Sequence, residues 1–452
     1  MVFTAAAAFL ASCLLGALVS ASLAGAGHLI GDPREYFSQA TSMLRGWAAM
    51  GAFYWPPGTG LVLAGALRLA GSTSPLVGWA VSCLFMAADV ALIVLLSAQQ
   101  LGPRSVRAVA VIALCYPTFL LTAGQTDSHI FSLFWTLLIL LCAVRGAKST
   151  NRAWFIFAGV ALGMAALTRP ALGLLGLLVP LAVFLEKAGR QRRASPGWLR
   201  HCTVASMLAL APMLAVLVPV VQHNHARNAG WSISTNNQRN FFLGNNPYTP
   251  LYRTWHFASR SLGQLPPEVA TYLRSKYAQP HPRAAMLGAA LDDIERRPGR
   301  FLLRTFNRMC AFWGPDYQGA RELQQRLGLH GWRAALLFAI QAGGYWAVAL
   351  LGLVGTFSPA SQADRLVKCL LWSATGVLLF PYALAFSAPV YHFEALGLLM
   401  PLAAEGACAL ALTLRGRGRL RAILSLISAR RLMIALIVFL VLQCEFLLLV
   451  RG

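Results

Sequence analysis

The chain has 452 residues, 57% of them hydrophobic and only 12% charged, with a formal net charge of +23. Water-soluble domains carry about 25% charged residues, so this composition excludes an ordinary soluble protein and points to an all-α polytopic membrane protein. The positive charge would suit a nucleic-acid binder, but the basic residues sit between apolar runs, where topology accounts for them. No nucleic-acid partner is expected.

A helical span needs about 20 apolar residues. Eleven such runs are expected, at about 4–28, 76–99, 106–124, 128–144, 153–169, 171–186, 202–222, 334–356, 367–388, 394–414 and 432–450. Residues 1–30 lack a basic leading region, so the first run reads as a span rather than a cleaved signal. With the amino terminus inside, the inner connections and their edges hold Arg104, Arg107, Arg145, Lys148, Arg152, Lys187, Arg190, Arg192, Arg193, Arg200, Arg365 and Lys368. Arg415, Arg417, Arg419, Arg421, Arg430 and Arg431 join them. The short outer segments hold only Arg34, Arg45, Arg68, Arg169 and Arg451. This asymmetry follows the positive-inside rule and describes a multi-pass protein of the cell (inner) membrane. Three parts are expected: a transmembrane module over 1–222, a long outer loop over 223–333 that caps the bundle, and carboxy-terminal spans over 334–452.

Within the first outer loop, 28–74, Tyr36, Phe37, Ala40, Met43, Leu44 and Trp47 recur at helical spacing, with polar residues between them. That pattern predicts a helix lying in the membrane interface. Asp32-Pro33-Arg34-Glu35 at its start is a good helix beginning, with Asp32 as the cap and Glu35 as its partner. Trp55-Pro56-Pro57-Gly58 then breaks the chain, and the apolar stretch 61–69 is too short to span. Two short outer connections follow, one containing Asp127 and His129, the other Thr168-Arg169-Pro170. Asp89 and Glu405 lie within spans and are assigned to structure, where they could pair.

The long outer segment opens with His223-Asn224-His225 and Arg227, and continues through Ser234, Asn236, Arg239, Gly244, Asn245 and Asn246 as an amide-rich loop. His223 and His225 on one segment do not make a metal site. Helices are expected over about 267–277, 284–297 and 301–312. Basic residues outnumber acids here, and because long loops escape the topology rule, an anionic ligand and simple solubility both remain open. Nine cysteines are dispersed without close spacing, which suggests neither a disulfide framework nor a metal knuckle. No internal repeat is evident, which weighs against a transporter.

Asp32…Tyr36…Ala40…Leu44…Gly46 followed by Trp55-Pro56-Pro57-Gly58 resembles the first outer loop of GT-C membrane glycosyltransferases. The group most similar is the bacterial set akin to protein O-mannosyltransferases and lipid A aminoarabinose transferases, glycosyltransferase family 39-like. Thr126-Asp127, Leu167-Thr168-Arg169-Pro170, Arg227-Asn228, Gly244-Asn245-Asn246-Pro247 and Phe312-Trp313 agree with it in order. Two departures stand out. The last outer loop reads Val390-Tyr391-His392-Phe393-Glu394, without the family's arginine or proline, and the large soluble carboxy-terminal domain of some relatives is absent.

The resemblance implies an inverting sugar transfer on the outer (periplasmic) face, from a polyprenyl-phosphate-linked donor among the membrane lipids to an acceptor glycan, lipid or protein. It makes Asp32 the general base, with Glu35, Tyr36, Asp127, Asn236 and Asn245 in support. Arg169, Arg227, Arg239 and Arg253 are candidates for the leaving phosphate, since guanidinium forks match phosphate oxygens. Tyr391 and His392 occupy the place of the missing family arginine. The resemblance fixes no cofactor and leaves metal dependence open; Asp32 and Asp127 could share a divalent metal ion. The reading kept beside it is a transporter or flippase of a lipid-linked sugar; a third is a non-catalytic scaffold.

Overall fold

The computed structural model describes residues 2–25, 27, 29, 31–99, 101–190, 197–357, 365–415 and 430–444. Residue 28, Arg192, Arg193, Arg417, Arg419, Arg421, Arg451 and the end of the last expected span lie outside the described residues. Among those described, every regular element is a helix, as composition led us to expect.

Helix α1 (Val2–Val19) is followed by the shorter pair α2 (Asp32–Leu44) and α3 (Gly58–Ala70), then α4 (Pro75–Ala98). Next come α5 (Pro103–Cys115), α6 (Pro117–Thr122), α7 (Ser128–Lys148), α8 (Ala153–Thr168), α9 (Leu178–Arg190) and α10 (Trp198–Ala226). The outer segment holds α11 (Asn237–Gly244), α12 (Thr254–Ser259), α13 (Pro267–Tyr277), α14 (Pro282–Arg296), α15 (Pro298–Phe312) and α16 (Gln318–Leu327). The chain returns through α17 (Trp332–Phe357), α18 (Arg365–Leu384), α19 (Phe393–Arg415) and α20 (Arg430–Leu442).

Eight helical stretches among the described residues are long and apolar enough to cross a bilayer. At the three other expected positions the helices are shorter. The run at 106–124 breaks between α5 and α6, because Pro117 cannot donate to the preceding turn and Tyr116 is held extended, at φ −70° and ψ 114°. Helix α8 and the described part of α20 have 16 and 13 residues.

Helices α7 and α19 are the most enclosed of the spans, while α1 and α10 turn apolar faces outward, as lipid contact requires. Close backbone crossings hold the bundle. A Cβ on Gly355 of α17 would lie 1.9 Å from the Leu402 carbonyl oxygen of α19. One on Gly159 of α8 would lie 2.2 Å from that of Ala209 on α10. Small residues matter at such crossings because dispersion contact, rather than hydrophobic force, drives helix association in lipid. Asp89 of α4 is fully buried and its oxygens have no hydrogen-bond partner, so the expected pairing with Glu405 is not formed.

The outer segment has a small core of its own, in which Phe242, Leu243, Phe257, Val269, Leu273 and Met286 pack together. That packing explains a difference from expectation: the amide-rich stretch contains the helix α11. Asn and Gly are poor helix formers, but adjacent Phe242 and Leu243 gain burial only if the turn is wound. His223 and Asn224, at the end of α10, stitch the first outer loop in place. The Asn224 side chain accepts from the Phe53 N–H at 2.8 Å and donates to the Ser232 and Ile233 carbonyls, while His223 Nε2 lies 3.0 Å from the Gly51 carbonyl.

Candidate active site

Helix α2 does not begin as expected. Gly31, at φ 58°, is the cap, its carbonyl accepting from the Arg34 and Glu35 N–H groups at 3.1 and 3.4 Å. Asp32 is therefore the first helical residue, past the position from which its carboxylate would reach those donors, and its side chain makes no cap. Glu35, expected as the capping partner, is exposed. The carboxylate of Asp32 is left free, and it opens into a cavity of about 910 Å³.

Three contacts set that carboxylate's position. Thr126 Oγ donates to the Pro33 carbonyl at 3.1 Å, tying the start of α2 to the connection before α7. Gln39 Nε2 donates to the Trp55 carbonyl at 3.1 Å, holding α2 against the Trp-Pro-Pro-Gly turn. That turn in turn rests on the end of α8: a Cβ on Gly58 would lie 2.4 Å from the Thr168 nitrogen. The next residue is Arg169.

Arg169 is the hub of the inner wall. Its Nε and Nη2 donate to Ser128 Oγ at 3.2 and 2.9 Å, and Nη1 donates to the Tyr382 hydroxyl. Its guanidinium lies 5.6 Å from the Tyr391 ring, which stacks on Tyr382 at 4.3 Å. Nη2 also reaches His129 Nε2 at 2.8 Å. Arginine can only donate, so Nε2 accepts, and the ring proton sits on Nδ1, 3.2 Å from Glu394 Oε1. Glu394 is 3.9 Å from Arg169 Nε as well, and its side chain is only 2% exposed. A buried carboxylate thus answers a partly buried guanidinium, partly through one histidine.

Asp127 accepts from the His129 N–H at 3.3 Å, capping α7, and lines the same cavity. Although Asp32 is open to the cavity, desolvation by the surrounding walls raises its carboxyl to about 6; Asp127 adds to the rise, while Arg169 opposes it. Asp316, on the turn before α16, is also pushed up to about 6 by burial, against the hydrogen bond from the Gln318 N–H at 2.9 Å; the Gln341 amide donates to its other oxygen at 3.1 Å.

Of the residues selected from sequence, Asp32, Tyr36, Asp127, Arg169, Asn236, Arg239 and Tyr391 line this one cavity. Arg239 donates to the Tyr54 hydroxyl at 3.0 Å near the outer wall. The others are placed elsewhere. Arg227 is exposed and donates to the Ala48 carbonyl. Arg253 sits at φ 53° ahead of α12 and is not part of the wall. Asn245 is buried, donating to the Phe241 and Leu384 carbonyls and accepting from Arg308. His392 lies behind the wall, its Nδ1 2.7 Å from the Phe312 carbonyl and its ring stacked on Tyr345 at 4.7 Å. Both positions serve packing.

Sequence reasoning passed over His129, Glu394, Tyr382, Asp316 and Arg321, which hold or line the cavity. One signal was visible. Glu394 replaces the family's expected proline, but nothing local says that a carboxylate there meets Arg169.

Among the described residues no group of three or more His, Cys, Asp or Glu side chains is arranged to hold a metal ion. Asp32 and Asp127 offer two carboxylates to one cavity, a set that suits a hard divalent cation only if phosphate oxygens complete it.

Residues 55–218 match the model of a family described as dolichyl-phosphate-mannose-protein mannosyltransferase. The chain is similar to the GT-C membrane glycosyltransferases, as its motifs suggested. The matched stretch starts at the Trp55 turn and runs through Asp127 and Arg169. Solved structures similar to it include the apo oligosaccharyltransferase of Archaeoglobus fulgidus, at 15% identity over 97% of this chain and 56% of that one, with a TM-score of 0.47. Another is ArnT from Cupriavidus metallidurans in the apo state, at 15% identity over 90% of this chain and 78% of that one, with a TM-score of 0.39. The GT-C-like chain thus spans little more than half the length of the archaeal protein. No curated protein matches it.

Proposed function

We propose that the chain is an inverting glycosyltransferase of the cell (inner) membrane that moves a hexosyl or pentosyl group from a polyprenyl-phosphate carrier to an acceptor at the outer face. The observation that carries this reading is an uncapped carboxylate, Asp32, sharing one cavity with a fixed guanidinium, Arg169. The distribution of basic residues supports the outward orientation.

The acceptor's hydroxyl or amine attacks the anomeric carbon from the face opposite the phosphate. A new bond forms to the sugar as the bond from carbon to phosphate oxygen breaks, and the electron pair leaves with the polyprenyl phosphate. Asp32 takes the acceptor's proton, a task for which a carboxyl raised to about 6 is better matched than an ordinary one. Arg169 holds the charge gathering on the phosphate, the type of preorganised electrostatic help that lowers such barriers most. Glu394 and His129 keep its fork aimed. Arg239, from the outer wall, is available to the same phosphate or to the acceptor.

The test uses purified protein in detergent with a panel of polyprenyl-phosphate sugars and a crude envelope extract as acceptor. Release of free polyprenyl phosphate is followed by mass spectrometry in wild type and Asp32→Asn. Turnover of one donor, lost in the variant while donor binding persists, is the expected result. Equal turnover would remove Asp32 from the chemistry. No turnover, with lipid-linked sugar crossing proteoliposomes instead, would replace the transferase by a flippase.

A further inference from the structure

We infer that helix α15 is seated in the membrane leaflet on the side of the candidate active site, with Leu302, Leu303 and Phe306 against lipid acyl chains. The helix is built inside out. Arg300, Arg304 and Arg308 fall at i, i+4 and i+8, on one face, and that face is turned into the protein. Arg304 and Arg308 are each only 1% exposed. All three guanidiniums donate to main-chain carbonyls: Arg300 to Thr249 at 3.1 Å, Arg304 to Asn246 at 2.9 Å, and Arg308 to Leu384 at 2.9 Å. Asn307, on the same face, donates to the Leu251 carbonyl at 2.8 Å. The opposite face carries Leu302, Leu303 and Phe306, which are 66%, 42% and 38% exposed. A helix on a watery surface turns its charges out and its large apolar side chains in. This one does the reverse.

Position says what covers the apolar face. Arg308 also donates to the Ala383 carbonyl at 3.2 Å, so it occupies carbonyls in the last turn of α18, which a helix end leaves without N–H partners. Leu366–Leu384 of α18 is one of the stretches long and apolar enough to cross a bilayer, and α15 therefore lies level with the end of a span. Two other contacts agree. The Phe312 carbonyl lies 2.7 Å from His392 Nδ1, at the start of α19, and Cys310 Sγ lies 3.7 Å from Cys444 Sγ, just past α20. One turn before Leu384, Phe380 is 56% exposed, so the apolar outer surface of α18 reaches within a turn of the carbonyls that Arg308 holds. Hydrocarbon at that depth is the partner that three large apolar side chains fit. Arginines inside a membrane bundle take backbone carbonyls as partners, as all three do here. These contacts account for three basic residues of the outer segment without an anionic ligand. Leu384 also lines the candidate active site, so the seat of α15 bears on that wall.

The test places a nitroxide on α15 in the full-length protein, reconstituted in phosphatidylcholine vesicles. Leu303→Cys is spin-labelled in a Cys115→Ser background, which removes the exposed native cysteine, and the signal of the labelled background is subtracted. Thr271→Cys, at an exposed position of α13, is the control. Collision with oxygen, which concentrates in hydrocarbon, is compared with collision with a water-soluble nickel chelate. Oxygen is expected to dominate for the label replacing Leu303 and the chelate for the one replacing Thr271, a reversal of the ratio. Leu302→Cys and Phe306→Cys repeat the reading if Leu303→Cys fails to fold. Dominance of the chelate along α15 would put this face in water and overturn the inference. Little collision with either reagent would mean that protein covers the face, with dipolar broadening between labels marking a second copy of the chain; that result overturns the inference as well.

Discussion

The raised pKa of Asp32 makes a prediction that depends on its surroundings rather than on its identity. A general base must be ionised, so activity should fall as pH drops through the carboxyl's own pKa. With that value moved from 3.8 to about 6, roughly one Asp32 in eleven is ionised at pH 5 and ten in eleven at pH 7, a change of about tenfold in kcat/KM. A carboxyl left at its ordinary value would change by less than about a tenth over the same interval. The assay is kcat/KM for donor consumption at constant ionic strength, since that quantity reports the free enzyme. Asp127 is the second cause of the rise after burial, so Asp127→Asn should move the midpoint to lower pH. A wild-type profile flat from pH 5 to 7, with activity still abolished in Asp32→Asn, would refute the reasoning. An unmoved midpoint in Asp127→Asn would show that the two carboxylates do not feel one another.

Three further outcomes are expected. Asp32→Asn should be as stable as wild type or slightly more so at pH 8, because above about pH 6 the wild-type fold carries a partly desolvated anion. The difference should narrow as pH falls through 6 and close only towards about pH 3, below the unfolded acid's own pKa of 3.8; thermal melts at both ends check the sign. Glu394→Gln leaves His129 an oxygen to donate to but removes the charge facing Arg169. Losing one partner of a buried pair costs about 3–5 kcal/mol, so a lower melting temperature and weaker donor binding are expected, and an unchanged melt would mean that the pair holds nothing. Gly58→Ala places a Cβ 2.4 Å from the Thr168 nitrogen and should lower both stability and turnover. Gly65→Ala, on the same helix with nothing within 4 Å, should leave turnover intact and serves as the control.

Much of the site was legible as chemistry and little of it as geometry. Asp32, Asp127 and Arg169 were chosen because each sits at an outer boundary, and boundary position follows from counting along apolar runs. The structure brings all three to one cavity. Arg227, Arg253 and His392 were chosen by the same kind of reasoning and lie elsewhere, since nothing in a loop's sequence says which way a side chain leaves it. The helix cap expected of Asp32 fails for a local reason: Gly31 takes a left-handed conformation and starts the helix one residue early. Pattern alone favoured Asp as the cap, and only backbone angles could decide.

The sequence by itself determined the class of this protein, an all-helical membrane bundle, because hydrocarbon demands long apolar runs and leaves no other place to put them. It also determined the amphipathic helix that starts at Asp32, through a periodicity that needs no partner to be read. Only the tertiary structure decided that Glu394 and His129 answer Arg169. Glu394 lies 265 residues from His129 and 225 from Arg169. Ionisable groups inside a membrane bundle pair with one another or with backbone carbonyls, and which of them meet depends on how the helices pack.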